Sequence, residues 1–97
     1  MIRITAINGD GKGKSQEYTS LPISIGRYTD NDIVITDSIV SRRHCIIASD
    51  GLKISVIDLG SKNGTYVNGS RFSDESVLLN GDVITIGIIN LQIVIDD

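Results

Sequence analysis

Tryptophan is absent from this 97-residue chain, and cysteine, proline, histidine and phenylalanine occur once each. The single cysteine, Cys45, excludes an internal disulfide and a metal cage built only from cysteines. Its place inside an apolar run favours a small buried side chain rather than a reactive one. We expect neither a metal nor another cofactor in this protein.

Long apolar runs are missing as well, since no window approaches the roughly 20 apolar residues that a membrane-spanning helix needs. The N-terminus lacks the basic region and long apolar stretch of a signal peptide. A basic surplus is also missing, because the formal net charge is −3. The composition therefore predicts a soluble, cytoplasmic protein that binds no membrane and no nucleic acid.

The apolar residues that are present are mostly branched at Cβ, with 18 Ile and 7 Val against 2 Ala. Such side chains suit pleated, half-buried strands and are mildly unfavourable in helices. Short apolar runs separated by turn signals, without helical periodicity, predict an all-β fold, either an antiparallel sandwich or a barrel. At this length we expect one domain, residues 1–97, with a single core.

Apolar runs and turn signals together predict where the strands lie. The predicted strands are Ile2–Ile7, Gln16–Thr19, Ile23–Gly26, Ile33–Ile35, Arg43–Ala48, Leu52–Asp58, Thr65–Val67, Val77–Leu79, Val83–Ile86 and Ile89–Ile95. Asp50-Gly51 is typical of a two-residue hairpin turn. After it, Leu52, Ile54 and Val56 alternate with polar residues, which predicts one dry face and one wet face.

Gly13-Lys14-Ser15 resembles the end of a P-loop, in which backbone amides at a helix start hold phosphates. The glycine that such a loop requires five residues earlier is Asn8, and Leu21-Pro22 follows where a helix should run. A solvated hairpin tip explains this segment more simply, and we favour that interpretation.

Three islands of polar residues at turns between apolar runs carry the chemistry of the chain. The first island is Gly26-Arg27, the second is Ser41-Arg42-Arg43-His44, and the third runs from Asp58 to Gly69. Together they contain four cations: Arg27, Arg42, Arg43 and Lys62. Guanidinium groups, hydroxyls and turn amides suit the binding of a dianionic phosphate on another chain.

Each island alone has a simpler interpretation. Arg27 could be a solvated surface arginine, and the second island could be an exposed basic turn. His44 could serve as a base for Ser41 in a small hydrolase, but the sequence supplies neither an oxyanion hole nor a clear third member. A buried histidine that braces the loop through hydrogen bonds is the interpretation we favour.

Taken together, the islands resemble a forkhead-associated (FHA) domain. The pattern is Gly-Arg, then Ser-Arg-x-His beginning fourteen residues later, then Asp-x-x-Ser-x-Asn-Gly-Thr-x-Val-Asn-Gly. The resemblance runs from about Ile23 to Ile95. It implies an antiparallel β-sandwich of about eleven strands whose loops at one end bind phosphothreonine peptides, with no catalytic residues.

The resemblance also implies a role for each matching residue. Arg27 is expected to contact phosphate oxygens and Ser41 to donate its hydroxyl to the same group. Arg42 is expected to contact the phosphate or the peptide chain. Lys62 matches a position whose side chain or amide approaches the phosphate, and Asn63 matches the residue that hydrogen-bonds the peptide main chain.

Other matching residues are expected to shape the loops without touching the ligand. They are Gly26, His44, Gly64, Thr65, Asn68 and Gly69. Arg43 occupies a variable position of the family, where it either points away from the ligand or adds long-range attraction.

The predicted function is phosphothreonine-dependent binding of a protein or peptide, either a Ser/Thr kinase or its substrate. Specificity for the residues that flank the phosphothreonine is expected to depend on the loops Tyr28–Val40 and Ser70–Asn80. The alternative is an interaction module of the same fold that recruits its partner through a sheet face, without phosphate.

Overall fold

The computed structural model describes residues 1–96, so Asp97, the last residue of the predicted domain, lies outside the described residues. Eleven strands form the fold of these 96 residues. They are β1 (Ile2–Ala6), β2 (Ser15–Tyr18), β3 (Ile23–Gly26), β4 (Ile33–Val34), β5 (Cys45–Ser49), β6 (Ile54–Asp58), β7 (Thr65–Val67), β8 (Ser70–Arg71), β9 (Glu75–Val77), β10 (Val83–Ile86) and β11 (Ile89–Ile95). Within residues 1–96 there is no helix that could cross a membrane.

The strands form two sheets. The six-stranded sheet has the order β2-β1-β11-β10-β7-β8, and the five-stranded sheet has the order β4-β3-β5-β6-β9. Neighbouring strands pair antiparallel with one exception, the parallel pair β3–β4. The sheets enclose one cluster of buried apolar side chains. The predicted all-β sandwich of about eleven strands is confirmed.

Branched apolar side chains fill the space between the sheets. Ile25, Ile47 and Ile93 are fully buried on the inner faces, and each buried side chain of this kind contributes about 1.5–3 kcal/mol relative to exposure. Cys45 is buried among them. Burial, together with the nearby Asp58 carboxylate, raises the pKa of the Cys45 thiol to about 12, so the thiol stays protonated and inert, as its sequence context indicates.

The prediction for the start of β6 is wrong. Leu52 is 93% exposed, whereas Ser55 is buried. The Asp50 carboxylate accepts the N–H groups of Leu52 at 2.9 Å and Lys53 at 2.8 Å. This side-chain cap extends the predicted two-residue turn to residues 50–53, so β6 begins only at Ile54. Leu52 therefore belongs to the turn and not to a dry strand face.

Other strand boundaries differ from the prediction as well. β1 ends at Ala6 instead of Ile7, β2 covers Ser15–Tyr18 instead of Gln16–Thr19, and β4 ends at Val34 instead of Ile35. β9 covers Glu75–Val77 instead of Val77–Leu79, because the Leu79 N–H donates to the Asp82 carboxylate at 2.8 Å and turns the chain out of the sheet. β5 begins at Cys45 instead of Arg43.

The segment Gly13-Lys14-Ser15 closes the β1–β2 hairpin. The Gly13 N–H donates to the Ala6 carbonyl at 2.8 Å, and the Ala6 N–H donates to the Lys14 carbonyl at 3.0 Å. β2 follows directly from Ser15. The predicted hairpin tip is confirmed, and the P-loop interpretation is wrong.

Candidate functional site

Three loops that are far apart in the sequence meet at one end of the sandwich. They connect β3 to β4, β4 to β5, and β6 to β7, and they surround a shallow recess of about 450 Å³. The recess is lined by Arg27, Ser38, Ile39, Val40, Ser41, Arg42, Arg43, Lys62 and Asn63. All five residues that the sequence predicted to contact a phosphopeptide therefore lie in the same recess.

Arg27 is held at the end of β3 by the loop that precedes β5. Its N–H donates to the Ser41 carbonyl at 3.0 Å, and its guanidinium Nε donates to the Val40 carbonyl at 3.1 Å. The side chain is half-buried. Since Nε is engaged, the two Nη groups, which have no hydrogen-bond partner within residues 1–96, remain as donors for a ligand.

Gly26 allows the first two islands to approach each other. A Cβ at this position would press against the Arg42 carbonyl oxygen and lie 2.8 Å from Asn31 Nδ2. The φ angle of Gly26 is ordinary, so glycine is required here for space and not for backbone conformation. Its predicted role in shaping the loop has this physical cause.

Asn31 is a buried residue that the sequence reasoning missed. Its Nδ2 donates to the carbonyls of Tyr28 at 2.8 Å and Arg42 at 2.9 Å, which ties the loop after β3 to the second island. Asparagine is frequent in surface turns, and nothing in the sequence marks this one as buried.

Ser41 and Lys62 join the second and third islands. The Lys62 backbone N–H donates to Ser41 Oγ at 3.1 Å. The hydroxyl hydrogen of Ser41 is therefore free to be donated to a ligand. Because the Lys62 amide is already engaged, the exposed side chain of Lys62, and not its amide, is the group available to a phosphate.

His44 braces these loops from behind. It is fully buried, its Nδ1 accepts the Ser41 backbone N–H at 3.1 Å, and its Nε2 lies 2.9 Å from the Gly64 carbonyl oxygen. Since Nδ1 accepts, the proton sits on Nε2, which donates to Gly64. The ring faces the Ser41 amide and not its hydroxyl, which removes the hydrolase interpretation and agrees with the bracing role.

Asp58 organises the third island. One carboxylate oxygen accepts the N–H groups of Gly60 and Ser61 at 3.0 Å each, and the other accepts the hydroxyls of Ser61 and Thr65. Partial burial raises the pKa of Asp58, but the hydrogen bonds from Ser61 and Thr65 lower it and prevail, so it lies below its usual value. The ionised carboxylate therefore fixes the loop that carries Lys62.

The remaining residues that were predicted to support the loops lie in two different parts of the structure. Gly64 has φ +85 and its carbonyl lies against His44 Nε2, while Thr65 is fully buried and donates its hydroxyl to Asp58. Asn68 and Gly69 form the turn between β7 and β8, where Asn68 Nδ2 donates to Asp82 and its Oδ1 accepts the Val83 N–H, both at 3.0 Å. Asn68 and Gly69 thus support the sheet and do not line the recess.

Asn63 and the two neighbouring arginines form the rim. Asn63 Nδ2 donates to the Ile39 carbonyl at 2.8 Å, which leaves its Oδ1 and second N–H for a peptide backbone. The Arg42 guanidinium is exposed, with its Cζ 5.3 Å from the centre of the Tyr28 ring. Arg43 forms an ion pair with Asp30 at the edge of the recess, so its charge is partly compensated.

The recess is a local positive site on an acidic body. Four cationic side chains line it and no carboxylate does, within residues 1–96. The same part of the chain contains no group of three or more His, Cys, Asp or Glu residues that could hold a metal ion. The arrangement suits the binding of a doubly charged oxyanion, and His44, the imidazole that could have acted as a base, is buried and fully engaged.

A β-sandwich with an oxyanion recess built by the loops at one end defines a class of binding domain. The family model described as FHA domain matches residues 23–87. The chain belongs to the FHA domain family, as the motif spacing predicted.

Relatives and solved structures agree with this assignment. The glycogen accumulation regulator GarA of Mycolicibacterium smegmatis is 48% identical over 64 residues, which cover 66% of this chain and 40% of that protein. The structure of Mycobacterium tuberculosis EmbR in complex with a low affinity phosphopeptide has a TM-score of 0.89 and 31% identity, covering 97% of this chain and 24% of that one.

An FHA domain solved in a structural and functional analysis of phosphothreonine-dependent FHA domain interactions is similar along nearly its whole length. Its TM-score is 0.84 at 32% identity, and the match covers 99% of this chain and 97% of that one. The first curated relatives are longer proteins, since this chain spans about two fifths of their length.

Proposed function

We propose that this chain is a phosphothreonine-dependent peptide-binding module that recognises a phosphorylated partner in Ser/Thr kinase signalling. The observation that carries the proposal is the recess itself, in which Arg27, Ser41 and Lys62 from three separate loops surround one cavity lined by cations. Residues 1–97 act as one FHA domain in this proposal, whatever protein they belong to.

The chemistry of the recess fits a phosphothreonine. Such a residue carries about −1.5 to −2 charge near neutral pH and three strong acceptor oxygens. Arg27 Nη groups, the Ser41 hydroxyl and the Lys62 ammonium supply donors for these oxygens, while Arg42 and Asn63 hold the peptide chain. Each charged hydrogen bond contributes about 1.5–3 kcal/mol, and ordering of the peptide offsets much of this, so we expect a dissociation constant on the order of micromolar.

The partner in this proposal is a phosphothreonine-containing protein, either a Ser/Thr kinase or its substrate. EmbR, to which this chain is similar, was solved in complex with a phosphopeptide. The protein acts as a binding module and not as an enzyme, because His44, the candidate base, is buried, and its ring faces the backbone amide of Ser41 instead of the hydroxyl of this candidate nucleophile. Ile39 adds an apolar wall to the recess that suits the threonine methyl group.

A calorimetric titration tests the proposal. A degenerate phosphothreonine peptide library is compared with its unphosphorylated twin and with a phosphoserine twin. We expect micromolar binding of the phosphothreonine library alone and its loss in Arg27→Ala. Equal binding of the phosphorylated and unphosphorylated libraries would contradict the proposal.

A sheet face supports a second candidate function, binding of a partner without phosphate. On the outer face of the five-stranded sheet, Ile46 lies between Ser24 and Ile57 on the neighbouring strands, and Val77 nearby is 47% exposed. A partner that uses this face would bind Arg27→Ala normally and would lose affinity for Val77→Lys. The phosphothreonine function predicts instead that Arg27→Ala loses affinity and that Val77→Lys binds normally.

A further inference from the structure

A groove extends from the phosphate recess along the open side of the sandwich. Ser38, which lines the recess, also lines a second cavity of about 610 Å³. This cavity adjoins a third of about 540 Å³, with which it shares the lining residues Ala6, Lys14, Ile33 and Leu91. We call the two adjoining cavities the edge groove, because they lie between β4, an edge strand of one sheet, and the β1–β2 hairpin at the edge of the other.

The edge groove is apolar and has fixed walls. Ile33 and Leu91 line its floor, and Val34 and Ile88, at its rim, are 40% and 67% exposed. Asn8 ties the hairpin wall to the start of β11: its Nδ2 donates to the Ile88 carbonyl at 2.9 Å, and its Oδ1 accepts the Asn90 N–H at 2.8 Å. The hairpin wall of the groove is therefore held in place by hydrogen bonds within the chain.

Strand β4 offers its backbone to the edge groove. Among the described residues 1–96 it pairs only with β3, and the Ile35 N–H just after it donates to the Gly26 carbonyl at 3.0 Å. Backbone groups of successive residues in a strand point to opposite sides. The N–H and carbonyl of Val34 therefore face away from β3 and can pair with an added strand, since β4 carries neither a proline nor a lysine that would block its edge.

The charge of the edge groove is acidic. Asp10, Asp32 and Asp37 line it, against one cation, Lys14. This is the reverse of the neighbouring recess, which is cationic. A ligand that fills both the recess and the edge groove must carry an anionic group at the recess and apolar and basic residues along the groove.

We propose that the edge groove binds an extended apolar and basic segment of the same partner chain whose phosphothreonine occupies the recess, and that this segment adds to β4 as a strand. The inference rests on the proposed function. Strand addition supplies main-chain hydrogen bonds, with alternate side chains entering the groove. Because both sites engage one chain, binding at the recess raises the effective concentration of the segment at β4.

Four arm-bearing phosphothreonine peptides, with the short peptide without an arm as reference, test this inference against the intact chain. A short peptide carries an arm of about eight residues, enough for one strand, on either its amino or its carboxyl side. The arm alternates valine and threonine with two lysines, or alternates glycine and serine with the same two lysines. On one of the two sides we expect the valine arm to bind about tenfold more tightly than its glycine-serine twin.

Two groove variants test whether the tighter binding of the valine arm arises in the edge groove. Val34→Lys and Ile88→Lys alter exposed side chains of the groove outside the phosphate recess, and Leu52→Lys is the matched control in the exposed turn before β6. We expect the first two to abolish the gain from the valine arm, the control to retain it, and all three to bind the short peptide normally. Equal affinity of the two arms on both sides, or a gain that survives both groove variants, would overturn the inference.

The outcomes separate the two proposals. Failure of the short phosphothreonine peptide to bind contradicts the proposed function, and the inference falls with it. Binding of the short peptide without a gain from either arm contradicts the inference alone. A free chain that sediments as a dimer and that Ile88→Lys converts to a monomer would show that a second copy occupies the groove, which also overturns the inference.

Discussion

At the scale of single residues, Arg27 and His44 serve the recess in different ways. Arg27 presents free donors to a ligand, because one nitrogen is anchored to the Val40 carbonyl and the others are not engaged within residues 1–96. In the proposed function His44 does not contact the ligand, because it is fully buried and both ring nitrogens are engaged. Substitutions at these two positions should therefore affect different measurements.

Replacing Arg27 with alanine should weaken binding far more than it weakens the fold. The loss of one charged hydrogen bond of about 1.5–3 kcal/mol corresponds to a roughly tenfold to hundredfold rise in the dissociation constant of a phosphothreonine peptide. Fluorescence anisotropy measures this change. The control is Arg3→Ala, an exposed arginine on β1 outside the recess. An equal effect of both variants would show that the attraction is not specific to the recess.

Replacing His44 with alanine should weaken the fold first. The variant leaves the Ser41 N–H and the Gly64 carbonyl without their partner and opens a cavity, which together cost about 2–5 kcal/mol. Urea denaturation measures the free energy of unfolding. A variant with the same urea midpoint of unfolding as the wild type would contradict the bracing role assigned to His44.

At the scale of elements, the loop between β6 and β7 depends on one ionised carboxylate. The pKa of Asp58 is lowered in the folded protein, so its stabilising contribution is present above the usual aspartate pKa of about 3.9 and is lost as the pH falls through the lower folded value. We expect the stability difference between wild type and Asp58→Asn to shrink as the pH falls from about 6 to below 3. Urea denaturation across this range measures it, and a difference independent of pH would contradict the account.

The end of β3 and the loop before β5 touch through Gly26. In Gly26→Ala the new Cβ would meet the Arg42 carbonyl, which is backbone and cannot rotate aside. We expect a loss of about 1–3 kcal/mol in the free energy of unfolding together with weaker phosphopeptide binding. Gly11→Ala is the matched control, because its Cβ would have ordinary space, 3.8 Å from Ala6. Equal thermal stability of the two variants would argue against the close approach.

The elements that sequence patterns predicted well are those in which local and long-range forces agree. β3, β7 and β10 lie where apolar runs and turn residues place them. The start of β6 was mispredicted because the Asp50 side chain captures two amides, and alternation alone does not reveal that competition. Contacts between distant loops, such as those of Asn31 with Arg42, were missed because burial is decided by chain segments remote in sequence.

At the scale of the whole molecule, the proposed function depends on the convergence of three loops. Motif spacing identified the residues of the recess, but their distances follow from the sandwich, which brings the ends of β3, β5 and β7 to the same side. An acidic chain of net charge −3 can thereby hold a cationic site. Overall charge is a poor guide to such a site, because the field at a recess is set by the nearest groups.

The convergence is tested most directly by an NMR titration of the labelled chain with a phosphothreonine peptide. We expect the amides of Arg27, Ser41 and Asn63 to shift together with a single dissociation constant, while amides of the β7–β8 turn stay in place. The unphosphorylated peptide should cause no shifts. Shifts limited to one loop, or the same shifts with the unphosphorylated peptide, would contradict the claim that the three loops share one phosphate.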